Sequence, residues 1–438
     1  MNGEINMNSM TQLKGKKLLI LAGGPNLISL VQRAKELGVY TIVTDYYDTE
    51  TSPAKTIADE YWDISWNDID QLEIKCLECG INGITTGYSE TPVNACLELC
   101  ERLNLPCYCT KEQLELTKDK NLFKEVCREN GVPVVREYSS IQEVKSYPII
   151  IKPVDRAGSI GVSVATNYKE LVKAYEYAME KSYCKKVIIE DFISEGTKFD
   201  VTYAICGEAI QLLSDCDTIN AKNNGFERVV QSGWLFPSKF HDYFMKKVDS
   251  AMRRMIKNLG IIDGYIFFSG FAIERGTDVD FVFFETGFRL SGGHMYNYIN
   301  QKGIINVLDI FITHALMGNT ELLSFEKDKK SDLKCVVVNY YAKDGIINET
   351  VGIDEIKSIP DCNFLLQLGK KGQECNSEHA ILFKNTMIHF CNNSPELLAK
   401  DVEKANEVYS IIDTHGKDIV YDRIDGNIVR KWWKQREE

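Results

Sequence analysis

Short apolar segments alternate with helical segments over the first hundred residues, and this alternation restricts the fold more than any other feature of the sequence. Lys16 opens the run Lys-Lys-Leu-Leu-Ile-Leu-Ala-Gly-Gly-Pro-Asn, which predicts a strand and a tight turn. An amphipathic helix follows and ends at Gly38, and further apolar runs lie at 40–44 and 83–86. Because parallel strands need helical crossovers, this segment predicts a Rossmann-like parallel sheet.

The chain has 438 residues, about twice the length at which one hydrophobic core stops growing, so several domains are expected. Helical periodicity from 111 to 131 predicts one helix, and the segment 395–412 predicts another. Between them, strands flank polar hairpins, which is typical of an α+β arrangement. The predicted domains are an α/β domain at 15–112, an α+β domain at 113–324 and a strand-rich domain at 325–438.

Charge and composition exclude several classes of function. The 51 Lys and Arg residues against 63 Asp and Glu give a net charge of −12, which disfavours a broad surface for nucleic acid or anionic membrane. No apolar run approaches the roughly 18 residues of a membrane-spanning helix, and the polar N-terminus does not resemble a secretion signal. The 14 cysteines are scattered, so we expect reduced thiols in a cytoplasmic protein and no structural disulfide.

The glycine turn after the first strand could indicate a nicotinamide cofactor. That fingerprint needs G-x-G-x-x-G, whereas this chain offers only Gly23-Gly24-Pro25-Asn26-Leu27. Asp45 lies where a ribose-binding acid would be expected, but an Asp in this position also commonly caps a turn. The sequence therefore disfavours an oxidoreductase.

Cysteine spacing gives a second alternative, a zinc site. Cys76-x-x-Cys79 and Cys96-x-x-x-Cys100 have ligand-like spacing, and Cys107-x-Cys109 gives a weaker signal. The first two pairs lie in segments with helical periodicity, where Cys often acts as a small buried hydrophobic residue. Buried thiols are therefore favoured over a metal.

A lysine near the end of an apolar strand gives the clearest chemical signal. Lys152 leaves the run Pro-Ile-Ile-Ile-Lys-Pro and leads into the glycine-bearing loop 155–161. An ammonium group neutralises phosphate charge, while small residues let backbone N–H groups approach phosphate oxygens. This pairing predicts a triphosphate site.

Other charged residues follow in a characteristic order. Lys120 precedes a helix, Glu190 closes a strand, and Glu285 closes a later strand that continues as Thr-Gly-Phe-Arg-Leu-Ser-Gly-Gly-His. In this order the chain resembles the ATP-grasp superfamily, in the branch of biotin-carboxylase-like, purine-synthesis and carbamoyl-phosphate-synthase-like carboxylate–amine ligases. The resemblance covers most of the chain and implies a fold of α/β and α+β domains: a Rossmann-like domain, a split ATP-grasp domain with a mobile lid subdomain at about 134–195, and a small strand-rich C-terminal domain.

The resemblance implies a site for ATP. Two lysines would contact the phosphates under a flexible lid loop, an acid would accept the adenine amino hydrogens, and the backbone after it would hold the ring edge. Relatives often place a ribose-binding acid about eight residues later, where this chain has Lys198. The expected nucleotide-binding residues are Lys120, Lys152, Gly158, Ser159, Gly161, Glu190, Asp191, Phe192, Ile193 and Asp200, the last as the substitute ribose acid.

The resemblance also implies a magnesium ion bound by Glu285. Relatives often read Glu-x-Asn here, whereas this chain reads Glu285-Thr286-Gly287. Folding the hairpin about 276–277 places Ser269 opposite Glu285, where the family usually has a second acidic ligand. Few protein carboxylates would then hold the ion.

The remaining expected residues face the substrates. Arg289 would hold a carboxylate or the transferring phosphoryl group and is, with Lys152, the expected catalytic residue. Polar residues near glycines at strand ends often line sites. The expected substrate-facing residues are Glu90, Arg228, Gln231, Arg289, Ser291, Gly292 and His294.

These features predict an ATP- and Mg²⁺-dependent ligase that makes an acyl phosphate and lets an amine attack it, releasing ADP. Its partners would be small carboxylates and amines, with a homodimer as a compatible assembly and neither nucleic acid nor membrane as a partner. The alternatives are a bicarbonate-activating carboxylase of the purine-synthesis type and a nucleotide-binding protein that has lost ligase chemistry. A biotin-dependent carboxylase is disfavoured, since the sequence shows no linked biotin domain.

Overall fold

The computed structural model of the chain describes residues 11–156, 160–221, 230–328, 330–376 and 383–434. Its strands are β1 (Lys17–Leu21), β2 (Tyr40–Thr44), β3 (Glu60–Trp62), β4 (Gly83–Thr85), β5 (Glu137–Tyr138), β6 (Ile149–Pro153), β7 (Ser163–Ala165), β8 (Val187–Asp191), β9 (Thr197–Cys206), β10 (Ala209–Asn220), β11 (Gln231–Phe236), β12 (Asp263–Arg275), β13 (Asp278–Gly287), β14 (Lys334–Tyr341), β15 (Gly345–Val351), β16 (Cys362–Gln367), β17 (Glu374–Cys375), β18 (Lys384–Asn392) and β19 (Ser410–Asp413). Its α-helices are α1 (Ile28–Glu36), α2 (Ala54–Ile57), α3 (Ile69–Cys79), α4 (Glu90–Leu103), α5 (Lys111–Lys118), α6 (Lys120–Asn130), α7 (Tyr168–Lys181), α8 (His241–Lys247), α9 (Asp249–Asn258), α10 (Tyr296–Lys302), α11 (Val307–Met317), α12 (Ile353–Lys357), α13 (Pro395–Val408) and α14 (Gly426–Trp432).

The first sheet is parallel, with strand order β3-β2-β1-β4. Leu19 of β1 pairs with Ile42 on one side and Ile84 on the other. Most side chains of these strands are buried, as expected for a parallel sheet covered by helices on both faces. The prediction of a Rossmann-like sheet is confirmed.

The segment 111–131 forms two helices, so the prediction of a single helix was wrong. Asp119 separates α5 from α6 in an extended conformation, and its carboxylate accepts hydrogen bonds from the N–H groups of Asn121 and Leu122. Aspartate is a strong N-cap residue, because its carboxylate satisfies amide groups that have no partner in the first turn. The break makes Lys120 the first residue of α6.

A small antiparallel sheet with strand order β5-β8-β6-β7 lies within the segment predicted to be the lid. Helix α7 packs on it through Leu171, Ala174 and Ala178. Lys152 lies on β6 and Glu190 on the neighbouring β8. The sheet thus brings together two of the expected nucleotide-binding residues.

The largest sheet is antiparallel, with strand order β13-β12-β9-β10-β11-β14-β18-β16. Ser269 lies opposite Glu285, which confirms the register predicted for that hairpin. Trp234 of β11 pairs with Val337 of β14, so one sheet runs across the predicted domain boundary at residue 324. The three domain ranges remain predictions.

The predicted helix 395–412 is too long. Helix α13 ends at Val408, and Ile411 in β19 pairs with Thr350 of β15. β-Branched isoleucines favour this extended pairing over a further helical turn. Within the described ranges, none of the helices has the length and apolarity needed to cross a bilayer.

Candidate functional site

Lys120 lies among the charged side chains of the candidate site. Burial lowers the pKa of its ammonium group, the positive charge of Lys152 lowers it further, and the carboxylates of Glu285 and Glu190 oppose the shift. No ion pair of Lys120 is present among the described residues. The fold therefore brings together residues from α6, β6, β8 and β13, and their roles remain predictions.

Glu190 lies between two lysines. Its Oε1 contacts the ammonium of Lys152 and is 3.3 Å from that of Lys124. Lys124 also binds Glu137, with 2.6 Å between Nζ and Oε1. The side chain of Lys124 is fully buried and that of Glu190 is 2% exposed, so the carboxylate is already neutralised inside the protein.

Lys124 is a site residue that the sequence analysis missed. It follows Lys120 by four residues in α6, and side chains with this spacing lie on the same face of a helix. The same spacing could have identified it once Lys120 had been singled out.

Part of the backbone assigned to the adenine ring edge is already engaged. The Asp191 N–H donates to the Arg136 carbonyl at 3.1 Å, and the Phe192 N–H donates to the Pro148 carbonyl at 3.0 Å. The Asp191 carboxylate accepts the Tyr138 hydroxyl at 2.7 Å. Of the expected backbone segment, Ile193 is therefore the better candidate for a contact with the ring.

The lid loop is described at its ends only, so Gly158 and Ser159 lie outside the described residues. Gly161 has a φ of +77°, and a Cβ there would lie 2.7 Å from Cγ of Pro153. Both the left-handed conformation and the close contact require glycine at this position. Gly161 therefore shapes the return of the loop onto β6, and its contact with nucleotide remains a prediction.

Ser269 lies on β12, between the strands that carry Asp200 and Glu285. Its hydroxyl donates to Oδ1 of Asp200 at 2.5 Å, and Glu285 is its partner on the other neighbouring strand. Asp200 Oδ2 is 3.7 Å from the ammonium of Lys198. Asp200 is 5% exposed, whereas Glu285 is half-buried and makes no ion pair in the part of the chain that the structure describes. Glu285 is thus the carboxylate best able to bind a cation.

Phe267 explains why residue 287 is glycine. The two residues lie opposite each other on β12 and β13, and a Cβ on Gly287 would lie 2.3 Å from Cζ of the Phe267 ring. The centre of the Arg289 guanidinium lies 5.3 Å from the centroid of the same ring. The aromatic ring thus occupies the space that an Asn at 287 would need, and the Arg289 guanidinium lies over its face.

Arg289 and Glu90, both expected to face the substrates, lie beside each other. Their closest charged atoms are 3.5 Å apart, and Glu90 is the first residue of α4. Nε of Arg289 is buried and has no hydrogen-bond partner among the described residues. The guanidinium thus retains a donor that a carboxylate or phosphoryl oxygen could accept.

His294 is buried next to Arg289 in a left-handed conformation with a φ of 52°. Its Nε2 is 3.0 Å from Oδ1 of Asn26, and its ring stacks on Tyr88 with 4.5 Å between the ring centroids. Burial lowers the pKa of His294 well below its usual range, and nearby His389 lowers it further. The imidazole is therefore neutral at physiological pH.

Two other expected substrate residues belong to the loop that carries His294. Ser291 is buried, its hydroxyl makes no hydrogen bond within the described ranges, and Gly292 is exposed.

The last two expected substrate residues are Arg228 and Gln231. Arg228 lies outside the described residues. Gln231 begins β11, and its carbonyl accepts a hydrogen bond from Asn339 at 3.0 Å. No described hydrogen bond or ion pair joins Gln231 to Arg289, so its role remains a prediction.

Behind this loop lies a group of polar residues that the sequence analysis did not identify. Neither ring nitrogen of His389 nor the indole N–H of Trp234 makes a hydrogen bond among the described residues. The ammonium of Lys384 lies 5.4 Å from the centroid of the Trp234 ring. Burial lowers the pKa of Lys384 to about 8 and that of His389 to about 3. No local motif marks these residues, because β11 and β18 are joined only through β14.

The turn at Gly23 is built differently from a dinucleotide site. The Asp45 carboxylate accepts the Gly23 N–H at 2.8 Å and the Ser52 hydroxyl at 2.7 Å. Asp45 thus ties the Gly23 turn to Ser52 within the protein. The same turn supplies Asn26 to His294.

The sequence of this chain matches known proteins over part of its length. Residues 101–257 match the family model described as D-ala D-ala ligase C-terminus. A formate-dependent phosphoribosylglycinamide formyltransferase from Prochlorococcus marinus (strain NATL1A) is 25% identical over 256 residues, 56% of this chain and 64% of that protein. The match thus spans less than two thirds of that relative's length.

Solved structures resemble nearly the whole chain. The L-amino acid ligase from Bacillus licheniformis superposes with a TM-score of 0.72 and 19% identity, covering 92% of this chain and 99% of that one. The biotin carboxylase domain of the 2-oxoglutarate carboxylase from Hydrogenobacter thermophilus, in complex with MgADP, ADP and bicarbonate, has a TM-score of 0.70 and 18% identity, covering 97% of this chain and 94% of that one. At this level of identity the similarities define the fold.

Proposed function

We propose that this chain is a member of the ATP-grasp superfamily and an ATP-dependent ligase that joins a carboxylate to an amine and releases ADP and phosphate. The observation that carries the proposal is the convergence on Lys120 of charges from Lys152, Glu190 and Glu285. These four residues lie far apart in the sequence, on α6, β6, β8 and β13, so it is the fold that brings them together.

Lys120 is the group best suited to bind a phosphate. Its ammonium is enclosed and has no carboxylate partner among the described residues, whereas Lys152 and Lys124 are held by Glu190. A phosphate oxygen would give the Lys120 ammonium the charged partner that it lacks among the described residues. Charge-assisted hydrogen bonds of this kind are strong. Lys152 would meet the same phosphates from the neighbouring sheet.

Glu285 would hold Mg²⁺, since it is half-buried and makes no ion pair in the described part of the chain. Mg²⁺ prefers oxygen ligands and commonly uses one or two carboxylates with substrate phosphates. When bound, the ion would neutralise negative charge on the phosphate chain. Asp200 is occupied by Ser269 and Lys198, so its expected contact with the ribose would require these partners to move or to share it.

The reaction has two steps. A carboxylate oxygen of the substrate attacks the terminal phosphorus of ATP, and the bond from that phosphorus to the ADP oxygen breaks. The amine then attacks the acyl carbon, phosphate leaves, and the nitrogen loses a proton to solvent. Arg289 would bind the carboxylate and the developing acyl phosphate through its unpaired Nε, and Glu90 would face the incoming amine.

Phosphate release from ATP tests the proposal, with carboxylates crossed against amines and with bicarbonate included in the panel. We expect ADP formation that needs both a carboxylate and an amine, drawn from the small molecules of the cytoplasm. We also expect an amide product, detected by mass spectrometry. Arg289→Lys should lower the rate by about 100-fold, because an ammonium cannot reproduce the guanidinium fork. Arg275→Lys, in the exposed hairpin between β12 and β13, is the matched control.

Three results would contradict the proposal. AMP formation would indicate adenylate chemistry. Turnover with bicarbonate alone would favour the carboxylase alternative. Tight ATP binding without turnover across the whole panel would indicate a protein that keeps the fold without ligase chemistry.

A further inference from the structure

Four cysteine side chains gather where the first domain leads into the second. Cys96 and Cys100 lie one turn apart on the same face of α4, and Cys107 and Cys109 follow in the segment before α5. The Sγ atoms of Cys96, Cys100 and Cys107 all lie within 4.8 Å of one another. Cys109 Sγ is 3.7 Å from that of Cys107. We call these residues the four-cysteine cluster.

The sequence had suggested a different grouping, in which Cys76 and Cys79 accompany Cys96 and Cys100. The fold instead turns the chain after α4 so that Cys107 approaches the two helical thiols. This turn begins at Asn104, which has a left-handed φ of 52° and ends the helix. The Leu105 N–H then bonds the Cys100 carbonyl at 2.9 Å and directs the chain back along α4.

The spacing of the sulfur atoms suits a four-coordinate metal. Zinc–thiolate bonds of about 2.3 Å in a tetrahedron separate the sulfur atoms by about 3.8 Å. The distance of 3.7 Å between Cys107 and Cys109 already matches one edge of such a tetrahedron. The three contacts among Cys96, Cys100 and Cys107 need to contract by at most about 1 Å, which is within the reach of a χ1 adjustment. The Cys109 sulfur lies outside that group of three and has to turn toward the two helical thiols.

The thiols lie in apolar surroundings. Cys96 and Cys100 are each 1% exposed and Cys109 is 3% exposed, between the apolar core of the first sheet and that of the large sheet. Thiols are weak hydrogen-bond donors and acceptors, so they offer one another little in such a place. A bound cation would instead pair them as thiolates.

We propose that Cys96, Cys100, Cys107 and Cys109 form a structural zinc site. Zn²⁺ binds the sulfur atoms as thiolates, and each S–H proton lost on binding passes to solvent; no oxidation or reduction takes place. Four thiolate ligands close the coordination sphere, so the ion has no open position for catalysis. The inference rests on the cluster alone and does not depend on the proposed ligase activity.

The site would connect the two domains mechanically. Tyr108, between two of the ligands, donates its hydroxyl to the Phe288 carbonyl at 3.0 Å, and its ring meets Phe288 edge-on at 5.2 Å between centroids. Phe288 directly precedes Arg289. A metal that fixes Cys107 and Cys109 would therefore also fix the backbone that positions Arg289.

Metal analysis of the full-length protein tests the proposal. Protein purified without chelator under reducing conditions should contain about one zinc per chain by mass spectrometry of the metal. Cys96→Ser/Cys100→Ser should lose it, whereas Cys184→Ser, which changes an exposed cysteine outside the cluster, should keep it. Because the double variant removes two buried groups, the single variant Cys109→Ser provides a second test that perturbs the core less.

Cobalt substitution gives a readout independent of folding stability. Anaerobic addition of Co²⁺ to metal-free protein should produce the sulfur-to-cobalt charge-transfer absorption and the intense visible bands of a tetrahedral thiolate site. Cys109→Ser should weaken the charge-transfer band in proportion to the lost ligand. Equal, substoichiometric zinc in wild type and variants, an absent charge-transfer band, or stoichiometric copper in place of zinc would each overturn the proposal.

Discussion

Lys152 and Glu190 form an ion pair across two neighbouring strands, and the carboxylate end of that pair is 2% exposed. The residue expected to contact the phosphates is therefore bound to the residue expected to contact adenine. Lys124, 3.3 Å from the same carboxylate oxygen, makes the arrangement a buried triad. Taking such groups out of water costs desolvation energy, and removing one partner leaves the others poorly compensated.

The first prediction concerns this triad. Lys152→Met should lower ATP-dependent turnover by at least about 100-fold and lower the free energy of unfolding by about 3 kcal/mol, because Glu190 then keeps one cation partner. Lys152→Met/Glu190→Gln should be more stable than Lys152→Met, since it removes the poorly compensated charge. Urea unfolding and phosphate release measure the two effects. Wild-type turnover in Lys152→Met would remove Lys152 from the site.

The second prediction concerns the metal. Glu285→Gln should raise the Mg²⁺ concentration needed for half-maximal turnover by about tenfold or more, because Ser269 supplies no charge on the neighbouring strand. Glu274→Gln, on the exposed end of the same hairpin, is the matched control and should leave the titration unchanged. Identical Mg²⁺ titrations for both variants would place the metal elsewhere.

The third prediction concerns the glycine beside Phe267. Gly287→Asn should destabilise the protein by roughly 1–3 kcal/mol, because its Cβ would overlap the Phe267 ring. In Phe267→Ala/Gly287→Asn the loss of stability should be smaller than the sum of the losses in the two single variants. The double variant should also need less Mg²⁺ than Phe267→Ala, since the new amide oxygen adds a ligand. Thermal unfolding and the Mg²⁺ titration provide the measurements. If the losses of the two single variants simply add, the ring is not what excludes the side chain.

Much of this site follows from local sequence. The pairing of Ser269 with Glu285 could be predicted because a hairpin register depends on its own turn and on strand alternation. The break at Asp119 was missed although the residue is a good N-cap, because the helical periodicity on both sides continues through it. Local rules thus gave the hairpin correctly and hid the boundary between α5 and α6.

Other parts could not be predicted in the same way. The placement of Lys384 and His389 near Trp234 depends on β11 pairing with β14 across about a hundred residues, and local pattern carries no information on such a register. The four-cysteine cluster depends on the direction in which the chain leaves α4 at Asn104. In both cases the decisive contact is long-range or depends on a single turn.

The fourth prediction concerns acid stability. An unfolded chain protonates histidine near pH 6.5, whereas burial lowers the pKa of His389 in the folded protein to about 3, although the nearby Gly293 backbone opposes the shift. Between these values the unfolded state binds more protons, so the free energy of unfolding falls as the pH falls from about 6.5, by up to about 1.4 kcal/mol per pH unit.

His389→Leu should remove this contribution, and urea unfolding at pH 5 and pH 7 measures it. The exposed His415 provides the control, because His415→Leu should keep the wild-type dependence on pH. If His389→Leu and the wild type lose equal stability over this range, His389 is not the group that titrates.

The fifth prediction separates Asp200 from Lys198. Asp200 is buried and accepts the Ser269 hydroxyl, and Lys198 lies 3.7 Å away at the edge of the same site. A carboxylate can accept hydrogen bonds from both ribose hydroxyls, whereas a lysine can only donate. Asp200→Asn should therefore raise the Michaelis constant for ATP about tenfold, and Lys198→Met should change it by less than about twofold, since the Lys198 ammonium is already paired with Asp200. Ser269→Ala tests whether Asp200 acts directly: it removes the hydrogen bond while leaving the carboxylate, so the Michaelis constant should stay near the wild-type value. The reverse order, with Lys198→Met costing more than Asp200→Asn, would make Lys198 a phosphate or substrate-carboxylate contact and leave the ribose to backbone groups.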